Sequence, residues 1–391
     1  MSFNINLPIA GLRNKNAFGD IAYFLMGLIT LTYISQAYRI FLKSSDILLQ
    51  IRVTEDYALI CLLFISMMLR GSLRINNFIP FALLFAYLCL NYLIVISDFD
   101  LVRRFIIIML WYTIAINILT KIKIEYFFYI VCFLGIFSAG MMIINVEQTI
   151  AMYVLESQRI HSEGEGMDLN INNITLILVA LTAVATVLKS NVQYIRYGKL
   201  LILTLYLSVA IIILIGATRS ALLFYLILVF YSLFKMSAKL IIIPFLFIVI
   251  AISGSILFID ELVVVSRIID FDFQSSGRIL AMRDSISNFV NYPLFGVGEL
   301  YQETKQIQRI GDPDHNFYSR LLGSNGLIGF IFVTLFLYGM TRTLSKGIKG
   351  MFILKGFFFF TFFFTPAGPG ALVAASTIYY LSDLKNRNYS N

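Results

Sequence analysis

Charged residues are scarce along this chain of 391 residues. They make up 13% of it, whereas hydrophobic residues make up 59%. Soluble globular domains carry roughly 25% charged residues, so the composition excludes that class. Apolar runs of about 20 residues recur along the chain, the length that crosses a hydrocarbon core roughly 30 Å thick. The sequence therefore predicts an all-α, polytopic membrane protein.

Cysteine is rare, and the polar connections contain none. Cys61, Cys89 and Cys132 all lie within apolar runs. This distribution excludes a disulfide framework or a cysteine-based metal site in the loops. The net charge of +8 would suit nucleic-acid binding in a soluble protein. In a membrane protein it follows from Lys and Arg in cytoplasmic loops, so no nucleic-acid partner is predicted.

Ionisable residues are nearly absent from the middle of the apolar runs, and no internal repeat stands out. Ion-coupled transporters usually place ionisable residues near the membrane midplane, often at repeat interfaces. The pattern therefore disfavours a lipid-linked oligosaccharide flippase or another transporter, which needs a polar cavity through its helices. The polar residues lie instead in two long connections, 146–171 and 260–316.

Hydropathy predicts twelve membrane spans joined by short basic turns on one side and by the two long loops on the other. The positive-inside rule assigns the basic turns to the cytoplasm. Both termini are then cytoplasmic, both long loops are external, and 1–391 forms a single membrane domain. The predicted spans are 21–41, 57–70, 78–97, 102–120, 126–145, 172–188, 199–216, 220–234, 240–259, 317–340, 351–365 and 370–383.

The longer external loop contains a predicted helix from about Gly277 to Asn291. Apolar residues recur there at helical spacing, and Pro293 disfavours helix in the residue before it. Arg278 falls in the first turn, where the helix dipole opposes a cation by roughly 0.3–1 kcal/mol. Either an anionic ligand or a salt bridge to Asp270 or Asp272 would compensate, and both alternatives stay open.

Arg219 lies in a tight external turn with no acidic residue near it in the sequence. A half-buried arginine without a counter-ion is costly. It therefore either pairs with an anion or extends to phospholipid headgroups.

The segment Asp312-Pro-Asp-His-Asn316 precedes the tenth span. Asp312 and Pro313 predict the N-cap and the first residue of that helix, which places His315 in its first turn. A histidine that titrates near neutral pH at this boundary suits general-base catalysis. The alternative is a surface histidine that caps the helix. Further along, glycines at 323, 326 and 329 indicate close helix packing.

Two Asp-x-Asp pairs have the spacing that some glycosyltransferases use to hold a divalent cation. They are Asp98 with Asp100 and Asp270 with Asp272. Such pairs arise easily by chance, so neither a metal nor another cofactor is predicted.

Four segments, in their order along the chain, resemble the bacterial O-antigen polymerase and O-antigen ligase family. They are 217–222, 276–278 with the helix that follows, 291–298, and His315-Asn316 with 325–329. The resemblance implies a glycosyltransferase in the bacterial inner membrane, with its active site facing the periplasm. Its implied donor is an undecaprenyl-diphosphate-linked oligosaccharide.

The resemblance also implies roles for individual residues. Arg219 and Arg278 would hold the donor diphosphate, which suits the bidentate geometry of arginine. His315 would take the proton from the acceptor hydroxyl as it attacks the anomeric carbon with inversion. The candidates for accessory roles are Arg283, Asp314, Asn316 and Arg320.

Between the two activities of that family, we favour the polymerase, which joins lipid-linked repeat units. The stretch 314–318 and the turn 364–368 resemble polymerases, although the acidic loop 146–171 departs from the more basic loop of some of them. A ligase would instead transfer the glycan to lipid A–core. Expected partners are the bilayer and the chain-length regulator and flippase of the same pathway.

Overall fold

Helices account for most of the part of the chain that the computed structural model describes. The described residues are 3–6, 17–35, 61, 72–75, 84, 86–87, 89, 99–144, 171–192, 195–216, 219–235, 277–310, 316–342, 348–364 and 369–389. The elements are β1 (Phe3–Asn6), α1 (Ala17–Ile34), β2 (Ser72–Ile75), α2 (Phe99–Leu119), α3 (Ile124–Ile144), α4 (Ile171–Asn191), α5 (Gly198–Gly216), α6 (Arg219–Lys235), α7 (Gly277–Asn291), α8 (Glu299–Ile310), α9 (Phe317–Thr341), α10 (Met351–Phe364) and α11 (Pro369–Tyr389).

The helical fold predicted from composition is confirmed, with one local exception. β1 and β2 form an antiparallel pair in which Phe3 lies opposite Ile75 and Ile5 lies opposite Leu73. Both strands alternate apolar and polar residues, the period of a strand rather than a helix. The all-α prediction missed this pair because it rested on long apolar runs.

Nine of the described helices, α1–α6 and α9–α11, coincide with predicted spans. Within the described part of the chain, three stretches are both long and apolar enough to cross a membrane: Ile124–Ile144, Ile174–Asn191 and Phe317–Thr341. The predicted spans 57–70, 78–97 and 240–259 lie largely outside the described residues. The total of twelve spans stays a prediction.

The centre of the described core is α4, which packs against α3, α5, α6, α10 and α11. Buried hydroxyls link it to its neighbours. The hydroxyl of Tyr206 in α5 lies 3.1 Å from Thr186 Oγ1 in α4 and 2.7 Å from Ser232 Oγ in α6. The Tyr225 hydroxyl in turn donates to the carbonyl of Tyr206 at 2.8 Å. Such hydrogen bonds fix helices to one another where apolar surfaces alone give little selectivity.

Several basic turns predicted to be cytoplasmic meet at one end of the helices. The side-chain amide of Asn191 donates to the carbonyl of Lys349 at 2.9 Å and accepts from its N–H at 3.1 Å. The Tyr129 hydroxyl, near the start of α3, donates to the carbonyl of Arg196 at 3.0 Å. This grouping agrees with the alternation that the positive-inside rule requires.

Candidate active site

Helix α9 is interrupted at Gly326, where φ is 64° and ψ is −168°. An unbroken helix would bond the N–H groups of Leu327 and Ile328 to the carbonyls of Gly323 and Ser324. The interruption separates these four groups, and in a membrane protein each then needs another partner.

Loop 293–298, between α7 and α8, supplies those partners. Leu327 donates its N–H to the carbonyl of Pro293 at 2.8 Å, and Ile328 donates to that of Leu294 at 3.2 Å. In return, Val297 donates to the carbonyl of Gly323 at 3.1 Å, and Gly298 donates to that of Ser324 at 2.8 Å. Two helical hydrogen bonds are thus replaced by four bonds between the loop and the broken helix.

Glycine is required on both sides of this contact. Gly296 has a φ of +69°, and a Cβ on it would overlap the carbonyl group of Ser324. A Cβ on Gly326 would overlap the carbonyl group of Leu294. The motifs at 291–298 and 325–329 therefore bring two backbones together. The carbonyl of Asn325 faces another neighbour, accepting from the Tyr87 hydroxyl at 3.1 Å.

The prediction of close packing by the glycine stripe is confirmed at Gly323 and Gly329. A Cβ on Gly323 would lie 2.5 Å from the carbonyl oxygen of Ser285 in α7, and one on Gly329 would overlap the Tyr87 hydroxyl. Gly326 has a different role, because it breaks the helix.

A buried polar cluster holds α7 against α8. The Gln302 amide donates to Ser285 Oγ at 2.7 Å, and the Gln306 amide donates to the carbonyl of Ala281 at 3.0 Å. Both glutamines are buried. Gln302 Oε1 has no hydrogen-bond partner among the described residues. Amide and hydroxyl groups therefore join the two helices.

An ion pair joins α8 to α9. Arg320 donates to Glu303 Oε2 at 2.6 Å. The arginine is only 8% exposed, while the Glu303 side chain is 35% exposed. A largely buried guanidinium needs such a partner. Arg320 is thereby fixed in the second turn of α9.

The start of α9 differs from the prediction. Asn316 is the N-cap, because its side-chain oxygen accepts from the N–H groups of Tyr318 at 3.0 Å and Ser319 at 3.4 Å. The prediction of Asp312 as N-cap is wrong, since the helix begins at Phe317. His315 thus comes immediately before the cap rather than within the first turn.

Contacts with α10 show at which end of the fold α6 begins. Tyr231, late in α6, stacks edge-on against Phe352, early in α10, with ring centroids 5.5 Å apart. Phe224, early in α6, contacts Phe360, late in α10, at 5.2 Å. The two helices therefore run in opposite directions. Arg219 lies about 7.5 Å along the axis before Phe224, beside the last turn of α10.

The start of α9 reaches the same turn of α10. The Tyr318 hydroxyl donates to the carbonyl of Phe359 at 3.1 Å. Asn316 therefore lies at the end of the fold where α6 begins, and His315 precedes it directly in the sequence. This end is opposite the one at which Asn191 and Lys349 meet.

The start of α7 also lies at this end. Ala281 and Ser285 of α7 contact Gln306 and Gln302 of α8 respectively, so α7 and α8 are antiparallel. Helix α8 runs back toward the start of α9, since Gln302 lies beside Gly323 and Glu303 beside Arg320. The first turn of α7, which contains Arg278, is consequently near the level of the first turn of α9.

Comparison with known proteins bears on this arrangement. The matching family is described as O-antigen ligase. This family matches residues 200–334 of the chain. That match covers about a third of the chain, from the start of α5 to the second half of α9. It confirms the predicted resemblance and indicates an O-antigen ligase- or polymerase-type function. No curated protein matches the chain.

The O-antigen ligase match contains every residue to which the sequence analysis gave a catalytic, diphosphate-binding or accessory role, whereas Asp98 and Asp100 precede it. Arg219 is the first residue of α6 and Arg278 the second of α7, and their backbones lie at one end of the fold. His315 and Asp314 lie outside the described residues, as do Asp98, Asp270 and Asp272. Their roles stay predictions.

The accessory candidates fall in three places. Arg283 is exposed on α7. Asn316 caps α9, and Arg320 is paired with Glu303. Within the described ranges, no three His, Cys, Asp or Glu side chains are grouped as a metal site requires.

Sequence reasoning missed α8 and with it Glu303, Gln302 and Gln306. The signal was present, because 299–310 consists largely of Glu, Gln, Lys and Leu, residues with high helix propensity. Polar residues at i and i+4 ordinarily predict a solvent-exposed face, so the burial of Gln302 and Gln306 leaves no signal in the sequence.

Proposed function

We propose that this protein is an O-antigen polymerase, a glycosyltransferase that joins undecaprenyl-diphosphate-linked oligosaccharide repeat units at the periplasmic face of the bacterial inner membrane. The observation that carries the proposal is the meeting of three helix starts at one end of the fold. These are α6 with Arg219, α7 with Arg278, and α9 directly after His315. The end lies opposite the grouped basic turns, which supports an external site.

Arg219 and Arg278 are proposed to bind the donor diphosphate. They come from separate segments, the first turns of α6 and α7, whose backbones lie at one end of the fold. Planar guanidinium groups bind phosphate oxygens in a bidentate manner. N–H groups at the starts of α6 and α7 would add to the positive potential there.

His315 is proposed to act as the general base. It removes the proton from the acceptor hydroxyl as that oxygen forms a bond to the anomeric carbon of the donor sugar. The bond between the anomeric carbon and the phosphate oxygen breaks, and undecaprenyl diphosphate leaves with the electron pair. Attack opposite the leaving group inverts the anomeric configuration. General-base assistance of this kind contributes typically 10²–10⁴-fold to a rate.

Arg320 is proposed to position this site rather than to contact the donor. Its guanidinium is engaged by Glu303 at 2.6 Å, one turn after the cap at Asn316. The pair fixes α8 against the start of α9. Loop 293–298 fixes the other end of the same assembly at Gly326. Rigid support of this kind keeps catalytic groups in their reactive geometry.

An O-antigen ligase is the second candidate, because the matching family is described by that activity. The donor chemistry is the same in both cases. The acceptor differs: a ligase transfers the glycan to lipid A–core, whereas a polymerase transfers it to another lipid-linked repeat unit.

The lipopolysaccharide of a deletion strain distinguishes the candidates. Core that carries a single repeat unit is the result expected for loss of a polymerase. Bare core, with polymer accumulating on the undecaprenyl lipid, would identify a ligase and contradict the polymerase assignment. A banding ladder identical to that of the parent strain would contradict both.

A further inference from the structure

The external helix α7 exposes a stripe of apolar side chains. Its members recur at intervals of three and four residues, so they lie on one face. They are Ile279, Met282, Ile286 and Val290, with exposures of 40%, 37%, 44% and 69%. We call these four residues the α7 stripe.

The side of α7 that faces the protein is the more polar one. Ala281 and Ser285 are fully buried, and Ser285 contacts the buried amides of Gln302 and Gln306. A helix surrounded by water shows the opposite arrangement, with its apolar face against the protein. The α7 stripe is therefore suited to an apolar environment outside the chain.

The α7 stripe continues onto the exposed side of α9. After α7, Tyr292 and Leu294 are 59% and 57% exposed. Leu294 is hydrogen-bonded through its carbonyl to Ile328, next to Leu327 in α9. From there the exposed apolar side chains of α9 follow one another at helical spacing. They are Leu327, Ile331, Leu335 and Tyr338.

The exposed side of α9 identifies what the surface faces. Phe317–Thr341 is long and apolar enough to cross a membrane, and half of its most apolar window is buried in the protein. In a helix of this kind, apolar side chains that the protein does not cover contact the hydrocarbon. Because loop 293–298 joins the end of α7 to α9 beside Leu327, we infer that the same bilayer is the partner of the α7 stripe.

We propose that α7 lies in the interface of the outer leaflet, with the α7 stripe among the lipid acyl chains. Arg283 supports this assignment, because it is exposed and lies about 60° around the helix from Ile286. An arginine at the border of an apolar face extends its guanidinium to lipid headgroups. The structure thereby assigns Arg283 to lipid rather than to the donor diphosphate. The proposal does not rest on the transfer reaction.

Tryptophan fluorescence in the full-length protein tests this placement. The single tryptophan, Trp111, is first replaced by phenylalanine. Ile286→Trp then places a reporter on the α7 stripe, and Gln308→Trp places a matched reporter on an exposed position of α8. Both variants are incorporated into lipid nanodiscs, with ordinary lipids or with lipids brominated in the upper part of the acyl chain.

Brominated lipid should quench Ile286→Trp about twofold or more, because an interfacial apolar face contacts the upper acyl region. Its emission should also lie at shorter wavelength than that of Gln308→Trp, which should be quenched little. Equal quenching of the two reporters would overturn the proposal. Short-wavelength emission without quenching would also overturn it, since a second copy or another protein would then cover the face. Val290→Trp, at the most exposed stripe position, replaces Ile286→Trp if that variant does not fold.

Discussion

Replacing Gly326 by alanine should destabilise the protein, because the break in α9 depends on this residue. Its φ of 64° and ψ of −168° belong to a region of backbone conformation that is essentially restricted to glycine. A Cβ would also overlap the carbonyl group of Leu294. Loop 293–298 must then move away from the broken helix.

The size of the effect follows from two contributions. Backbone strain at such a position costs of order 1–3 kcal/mol. If the loop withdraws, the N–H groups of Leu327 and Ile328 lose their acceptors, and one unsatisfied buried group costs about 1–3 kcal/mol. Strain together with the loss of one such bond gives about 2–6 kcal/mol.

Gly356→Ala is the matched control. Gly356 lies within α10, and a Cβ there would have nothing within 4 Å. The same substitution should therefore stabilise that helix by up to about 1 kcal/mol through helix propensity alone.

The apparent Tm of each full-length variant in lipid nanodiscs measures the difference. We expect Gly326→Ala to melt several degrees below the wild type and Gly356→Ala to melt at or above it. Equal apparent Tm values for the two variants would refute the reasoning, because loop 293–298 would then not depend on the glycine.

Three further substitutions probe the candidate site. Asn316→Ala should lower the apparent Tm by removing the α9 cap, at a cost of about 1 kcal/mol, whereas Asn316→Asp should retain it; equal Tm values would contradict the cap assignment. Arg320→Ala and Glu303→Ala should each destabilise by about 1.5–3 kcal/mol, and the double variant should lose much less than their sum; additive losses would show that the two residues are not coupled. Arg219→Lys should abolish polymer formation at a normal protein level, because a point charge replaces a planar fork; full activity would count against bidentate diphosphate binding.

The sequence predicted most described helices but not the start of α9. Asp312 followed by Pro313 is a strong start signal, and Asn316 is an equally good N-cap residue. Choosing between them depends on which side-chain oxygen reaches free N–H groups in the folded chain. The hydrogen bonds from Tyr318 and Ser319 favour Asn316.

The break at Gly326 could not be predicted from α9 alone. Its sequence is apolar on both sides and contains three regularly spaced glycines, which equally suit a continuous helix in close packing. What stabilises the break is loop 293–298, about 30 residues earlier. Hydrogen bonds between such distant backbones leave no periodic signal in the sequence.

The meeting of the three site segments also depends on distant contacts. Phe359 and Phe360 lie in an almost uninterrupted run of phenylalanines, which gives no indication of which ring contacts α6 and which carbonyl contacts α9. In the structure, the ring of Phe360 contacts Phe224 in α6, and the carbonyl of Phe359 accepts from the Tyr318 hydroxyl in α9. The types of residue could therefore predict the candidate site residues. That their segments meet at one end of the fold depends on packing between distant helices, which the sequence does not indicate.

Glycan transfer by purified, full-length His315→Ala tests the central claim most directly. Wild-type protein and variant are reconstituted at equal amounts with undecaprenyl-diphosphate-linked repeat units, and the length of the lipid-linked glycan is followed over time. We predict that the variant elongates the glycan at least about 100-fold more slowly, the loss expected when a general base is removed, while its apparent Tm stays at the wild-type value. Elongation at the wild-type rate would contradict the assignment of His315 as the base.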